Sequence, residues 1–228
     1  MRRPTTALTI SMIALLTATS TAVASPRVKA LPKCPPRNLR VLVADAQVVI
    51  YRATTVVYEP EEHRFEEGQE AIFGCAHGAK RSYRLGPTSY GSASGSGGTY
   101  PIALAGPVVA YDVGETAPFP TPHGYSSHEV WVRNLRTGKL IHRMPNGSPA
   151  ESEDIGLGET TAIAVKNDGA VAWIVRTGRT EDLQVRSVDK TGNHVLATSP
   201  EIAPESLALA GSTLYWTQGN KPMSATLN

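Results

Sequence analysis

The side chains that could do chemistry in this chain are few and spread out. Its six histidines are His63, His77, His123, His128, His142 and His194. None stands in H-x-H or H-E-x-x-H, the spacings that bring two imidazoles onto one metal. His123 and His128 share the segment 112–128 with Asp112 and Glu115, so two imidazoles and two carboxylates lie in one connection. That set could hold a metal. A solvated loop stiffened by Pro118, Pro120 and Pro122 accounts for it more simply. Residues 59–70 gather Glu59, Glu61, Glu62, Glu66, Glu67 and Glu70 around His63. Such oxygens suit Ca²⁺, but the D-x-[DN]-x-[DN]-G framework that fixes its coordination is absent, and a charged, solvated loop is expected.

Nucleophile signals are equally thin. Ser92, Ser94 and Ser96 sit in a Gly/Ser run without G-x-S-x-G. Ser126 and Ser127 adjoin His128 in sequence, which is not a triad geometry. Asp168 and Asp189 fall at hairpin turns, where Asp is favoured for its bonds to nearby backbone. No Gly-rich phosphate loop follows a strand and opens a helix, and no basic patch interleaves with aromatics as a nucleic-acid surface would. No cofactor is implied.

The elements that would carry these residues are strands. Apolar and β-branched residues run at residues 40–44, 47–51, 71–76, 80–85, 102–111, 129–135, 162–165, 170–175, 183–188, 194–198, 207–210, 213–216 and 223–227. Between them stand turn residues such as Asn167-Asp168-Gly169 and Gly219-Asn220. Leu183-Gln184-Val185-Arg186-Ser187-Val188 alternates with period two. Helical spacing is missing outside the N-terminus, so the chain reads as all-β. Residues 52–70, 86–100 and 112–128 read as long connections, the second a flexible Gly/Ser loop.

The hairpins resemble one another. A short apolar strand precedes Val49-Ile50-Tyr51, Val109-Ala110-Tyr111, Val171-Ala172-Trp173 and Leu214-Tyr215-Trp216. Each hairpin thus delivers an aromatic at one place, expected to pack between neighbouring sheets rather than to stack a ligand. Val130-Trp131-Val132-Arg133-Asn134-Leu135 and Leu183-Gln184-Val185-Arg186-Ser187-Val188 also align, each followed by a Thr-Gly turn. Such antiparallel units suggest a β-propeller-like array of about four blades, since a small twisted sheet buries its faces only against neighbours. Residues 37–228 resemble bacterial secreted β-propeller repeat proteins, mostly uncharacterised, on hairpin pattern alone. The Trp-Asp and Gly-His signatures of WD-type blades are missing. The resemblance implies a scaffold and no particular activity. The final unit shows three strands, so it is either incomplete or closed by the N-terminal arm around residues 27–31. An open array and a two-sheet sandwich remain as alternatives.

The N-terminal pattern predicts that the domain is secreted or held at the cell surface. Arg2 and Arg3 precede an uncharged run that ends in Ala22-Val23-Ala24, the pattern of a cleaved signal peptide over residues 1–24, with a retained membrane anchor as the alternative. The mature domain is then residues 25–228. Removing Arg2 and Arg3 from the 22 basic residues leaves a balance against the 20 acids, which gives no reason to expect nucleic acid. No later apolar run is long enough to span a membrane as a helix. In an exported chain Cys34 and Cys75 are expected to form one disulfide, worth about 4 kcal/mol by loop entropy.

In a propeller arrangement the connections 52–70, 112–128 and 176–182 within blades and 86–100, 145–159 and 200–205 between blades would emerge on one face. The expectation is a secreted, monomeric binding module whose ligand is a protein, peptide or glycan. Its candidate surface comprises Asp112, Glu115, His123, His128, Glu62 and His63. The alternatives are an extracellular hydrolase or lyase, which would need acids such as Glu115 and Glu129 to converge, and a purely structural repeat.

Overall fold

The structure is a computed structural model that describes Cys34 and residues 39–59, 64–92, 95–117, 125–146, 158–177 and 182–228. The expected signal peptide, the arm at residues 27–31, and Glu62, His63 and His123 lie outside the described residues. These contain strands and turns and no helix. The chain builds four antiparallel sheets in sequence order. A sandwich of two sheets is thereby replaced by four.

The first sheet is β1 (Arg40–Ala44), β2 (Val48–Glu59), β3 (Arg64–Ala76) and β4 (Tyr83–Pro87). The second begins with a hairpin, β5 (Ser89–Ser92) and β6 (Gly95–Gly98). It continues through β7 (Ile102–Ala105), β8 (Val108–Ala117), β9 (Tyr125–Asn134) and β10 (Leu140–Pro145). β11 (Thr160–Val165), β12 (Val171–Arg176), β13 (Leu183–Asp189) and β14 (Gly192–Ser199) make the third. The fourth has three strands, β15 (Ala208–Ala210), β16 (Thr213–Gln218) and β17 (Lys221–Thr226).

Period-two alternation on β2, β8, β12 and β16 explains how the sheets meet. In β8, Val108 and Ala110 pack with Val171, Trp173 and Val175 of the third sheet. Their neighbours Val109 and Tyr111 point the other way and pack with Val48, Ile50 and Ile72 of the first. In β12, Ala172 and Ile174 face Leu214 and Trp216 of the fourth. Consecutive sheets are therefore joined by shared apolar clusters. The aligned aromatics all lie inside: Tyr51 and Tyr111 are fully buried, and Trp173 and Trp216 nearly so. Tyr111, Trp173 and Trp216 each face the sheet that precedes their own. Tyr51 faces away from the second sheet, among Val49, Phe73 and the Cys34–Cys75 disulfide. Close approach between the first two sheets depends on Gly74, where a Cβ would come within 2.8 Å of Ile50 and 3.0 Å of Leu135.

Three segments read as connections are strands instead. β2 and β3 stay paired out to Glu59 and Arg64. β8 and β9 stay paired out to Ala117 and Tyr125. Within residues 86–100, expected to be a flexible Gly/Ser loop, residues 89–92 and 95–98 pair as β5 and β6, and β6 pairs with residues 114–116 of β8. The reason is backbone bonding. β7 covers β8 only from Val108 to Tyr111, and β6 takes up the same edge further along. Glycine and serine are poor core formers, but their amides bond as well as any others.

Candidate functional site

Of the residues expected to form a binding surface, Asp112 and His128 are brought together. Both are in strands, Asp112 opposite Val130 and His128 opposite Gly114. On β8 and β9 they share the face that carries Val108, Ala110, Val130 and Val132 towards the third sheet. Asp112 is not solvated, as a loop residue would be: its side chain is fully buried. Burying a carboxylate without partners is costly, and Asp112 has three donors. His128 Nδ1 lies 3.2 Å from one oxygen and 3.3 Å from the other. Asn146 Nδ2 donates at 3.3 Å and the Thr160 amide at 3.2 Å. Asn146 Nδ2 also donates to Thr160 Oγ1. Because Thr160 opens β11, the Asp112 carboxylate ties the second sheet to the third.

His128 fits here because residue 114 is glycine. A Cβ at Gly114 would overlap the imidazole ring. The ring rests on backbone and remains 18% exposed. A carboxylate on Nδ1 selects the tautomer with Nε2 available as a base, the orientation used in general base catalysis. Among the described residues the His128 imidazole has no hydrogen-bond partner other than Asp112, and none of them engages it as a nucleophile. The pair acts as a buried polar tether with one imidazole edge open to solvent.

Glu129 does not join this pair. Glu129 is next to His128 in β9 and so points to the opposite face of the sheet. There its Oε2 accepts from Trp131 Nε1 at 2.9 Å and from Arg143 Nε at 2.8 Å, with the Arg143 guanidinium 4.9 Å from the Trp131 ring centre. Glu115 is in β8, its backbone paired with Ser127. Among the described residues no group of three or more His, Cys, Asp and Glu side chains is placed to hold a metal ion.

The remaining described histidines serve local structure. His77 Nε2 donates to the Asp45 carbonyl at 3.1 Å. His142 is in β10, where burial holds its pKa below the ordinary value. His194 Nε2 lies 2.9 Å from Thr191 Oγ1 and 3.9 Å from Asp189 Oδ1. Asp168 and Asp189 accept from the Ala170 and Thr191 amides, the local turn bonds expected of them. Sequence reasoning missed Asn146 and Thr160 as partners of Asp112. Their only signal was their position at the ends of apolar runs, which does not reveal a contact between sheets.

No known family model matches this chain, and it matches no curated protein.

Proposed function

We propose that this chain is an exported scaffold of propeller-type repeats that binds a protein, peptide or glycan through one end of its row of sheets. The observation that carries the reading is the overrun of two hairpins at that end. β1 and β4 flank β2 and β3 only near the cluster of buried side chains. Residues 54–59 and 64–70 continue as a two-stranded ribbon. At about 3.3 Å per residue that ribbon extends roughly 20 Å. β8 and β9 overrun in the same way, widened by the β5–β6 hairpin. At the opposite end the β1–β2 and β7–β8 turns are tight. Long projections on a rigid base are where recognition is usually placed. At the base of the first ribbon Arg52 Nη1 lies 3.7 Å from Glu70 of the same sheet, and its Nη2 donates at 3.0 Å to the hydroxyl of Tyr100, which follows β6. The buried Asp112 tether holds the second ribbon to the third sheet.

The repeat reading is supported by the aromatics, each placed towards the preceding sheet. An open array fits the fourth sheet better than a closed ring. In β16, Leu214 and Trp216 face the third sheet, and the alternate positions are Thr213, Tyr215 and Thr217, with Tyr215 exposed. The corresponding positions in β2, β8 and β12 are Val48 and Ile50, Val108 and Ala110, and Ala172 and Ile174. A polar outer face is what a terminal repeat requires. Export rests on the leader pattern, and the Cys34–Cys75 disulfide fits an oxidising compartment.

The test is to trim both ribbons, replacing residues 56–67 and 115–126 by two-residue turns, and to screen parent and trimmed protein against peptide and glycan arrays. Capture by the parent that disappears on trimming is expected. Equal capture by both proteins overturns the reading.

A further inference from the structure

The end of the sheets opposite the ribbons carries a different chemistry. There the connection between β3 and β4 of the first sheet faces the β9–β10 turn of the second across an open cavity of about 480 Å³. His77, Lys80, Arg81 and Tyr83 come from the first sheet and Arg136 from the second. No Asp or Glu lines the cavity. The volume is in the range of small-molecule sites, about 300–1,000 Å³.

Among the described residues the cations of this cavity have no counter-ion. Lys80, Arg81 and Arg136 are exposed, and none forms an ion pair within the described residues. The single hydrogen bond of the Arg136 guanidinium there is a long one, 3.4 Å to Gln47 Oε1. In the adjoining β1–β2 turn Asp45 Oδ1 accepts from the Gln47 and Val48 amides at 2.7 and 2.8 Å, and the carboxylate forms no ion pair with these three cations. Like charges gathered without compensation repel one another, and an anion placed among them relieves that repulsion. Two guanidinium forks and an ammonium suit oxygens arranged around a central atom. A single carboxylate would neutralise one of three charges, whereas a phosphate ester or a sulfated group bears more oxygens and up to two charges. Tyr83 supplies an apolar wall for the rest of the ligand. Its ring is fixed by the Arg133 guanidinium 5.8 Å from the ring centre and by close contact with Gly138.

We propose that this cavity binds a small molecule bearing a phosphate or sulfate ester, held by Arg81, Arg136 and Lys80 and flanked by Tyr83. The site is at the far end of the sheets from the ribbons, so trimming the ribbons leaves it intact and either proposal can fail alone.

The test is calorimetric titration of the full chain, at low salt, with glucose 6-phosphate, glucose 6-sulfate, glucose, inorganic phosphate and inorganic sulfate. Saturable binding of at least one ester, absent for glucose and weakened by added salt, is expected. The two esters distinguish phosphate from sulfate, and the inorganic ions show whether the sugar contributes. Arg81→Ala with Arg136→Ala should weaken binding about tenfold or more, the loss of one or two charge-assisted hydrogen bonds. Should that double variant fail to fold, Arg81→Lys with Arg136→Lys keeps the charge, removes the forks, and should still weaken binding. The proposal is overturned if neither ester binds saturably up to about 10 mM, or if a folded variant binds as the parent does.

Discussion

Where the first sheet meets the second, Tyr111 packs among Val48, Ile50 and Ile72; where the third meets the fourth, Trp216 packs among Ala172, Ile174 and Val185. At the end away from the ribbons these two junctions diverge. The third and fourth sheets are laced together there. Lys166 Nζ bonds the Leu227 carbonyl at 3.0 Å and Ser212 Oγ at 3.3 Å, and stands 3.4 Å from Asp168. The Asn228 amide donates to Asp189 at 2.8 Å. Between the first and second sheets, Lys80, Arg81 and Arg136 surround a cavity and meet no acid within the described residues. Similar apolar floors thus carry two different rims. Burial joins the sheets, and the polar rim is free either to lock a junction or to leave it open for a ligand.

The strongest way to break this comparison is to remove the floor. Trp216→Ala and Tyr111→Ala each delete a large buried ring and should each cost about 3–5 kcal/mol, measured by urea unfolding followed by circular dichroism. Nearly equal losses would show that the floors are equivalent. A loss under about 1 kcal/mol at either site would mean that the rim, not the aromatic, holds that junction. Opening the disulfide with Cys34→Ala and Cys75→Ala tests the outer face of the first sheet, where Tyr51 has no sheet of the described residues over it. That change should cost about 4 kcal/mol on loop entropy, and it should leave the junction between the third and fourth sheets unaltered.

A smaller effect separates the rims themselves. Burial of Asp189 works against its charge. Hydrogen bonds from the Thr191 hydroxyl, the Asn228 amide and the Thr191 amide, with the nearby His194, outweigh that and bring its pKa from 3.8 to about 2. A carboxyl lowered on folding stabilises the native state above its unfolded pKa, near 4. That contribution disappears as pH falls through the folded value. The intact protein should therefore lose stability between about pH 4 and pH 2 through this group. Asp189→Asn should cost about 1–3 kcal/mol at neutral pH, because the Asn228 and Thr191 amides lose their charged acceptor. It should also shrink the difference in stability between those two pH values. An unchanged acid limb in thermal melts would show that Asp189 does not lock the rim.

How far these features were legible depends on which contacts carry them. The hairpins around Asn167-Asp168-Gly169 and Gly219-Asn220 were readable because turn residues punctuate alternating apolar runs, and both effects are local. The aromatics were readable as core because each follows an apolar strand. Asp112 was not. Beyond Tyr111 the chain runs Asp-Val-Gly-Glu-Thr-Ala, with too few apolar residues to mark a strand. It is a strand because β9 on one side and β6 on the other saturate its backbone. Those partners lie elsewhere in the sequence, one of them in a Gly/Ser run with no strand propensity. The basic cavity was hidden for a related reason. His77, Lys80 and Arg81 look like an ordinary turn, and only the packing of Leu135 against Ile50, over Gly74, brings Arg136 opposite them.

The smallest effects give the sharpest contrast, because they compare lysines at equivalent rims. Lys166 is largely buried, with its side chain 17% exposed, and holds two acceptors of the fourth sheet. Lys166→Met keeps the aliphatic stem and removes the donor, leaving the Leu227 carbonyl without that bond. It should cost about 1 kcal/mol. Lys80→Met, at the open rim, removes a charge that bonds nothing in the described residues and sits beside Arg81. Its effect should be within about 0.5 kcal/mol of zero, and of stabilising sign at low salt, since one like-charge repulsion is relieved. The two unfolding curves, recorded at low and high salt, decide the matter. If Lys80→Met destabilises as much as Lys166→Met, the first junction is locked as the last one is, and its cations are structural rather than available to an anion.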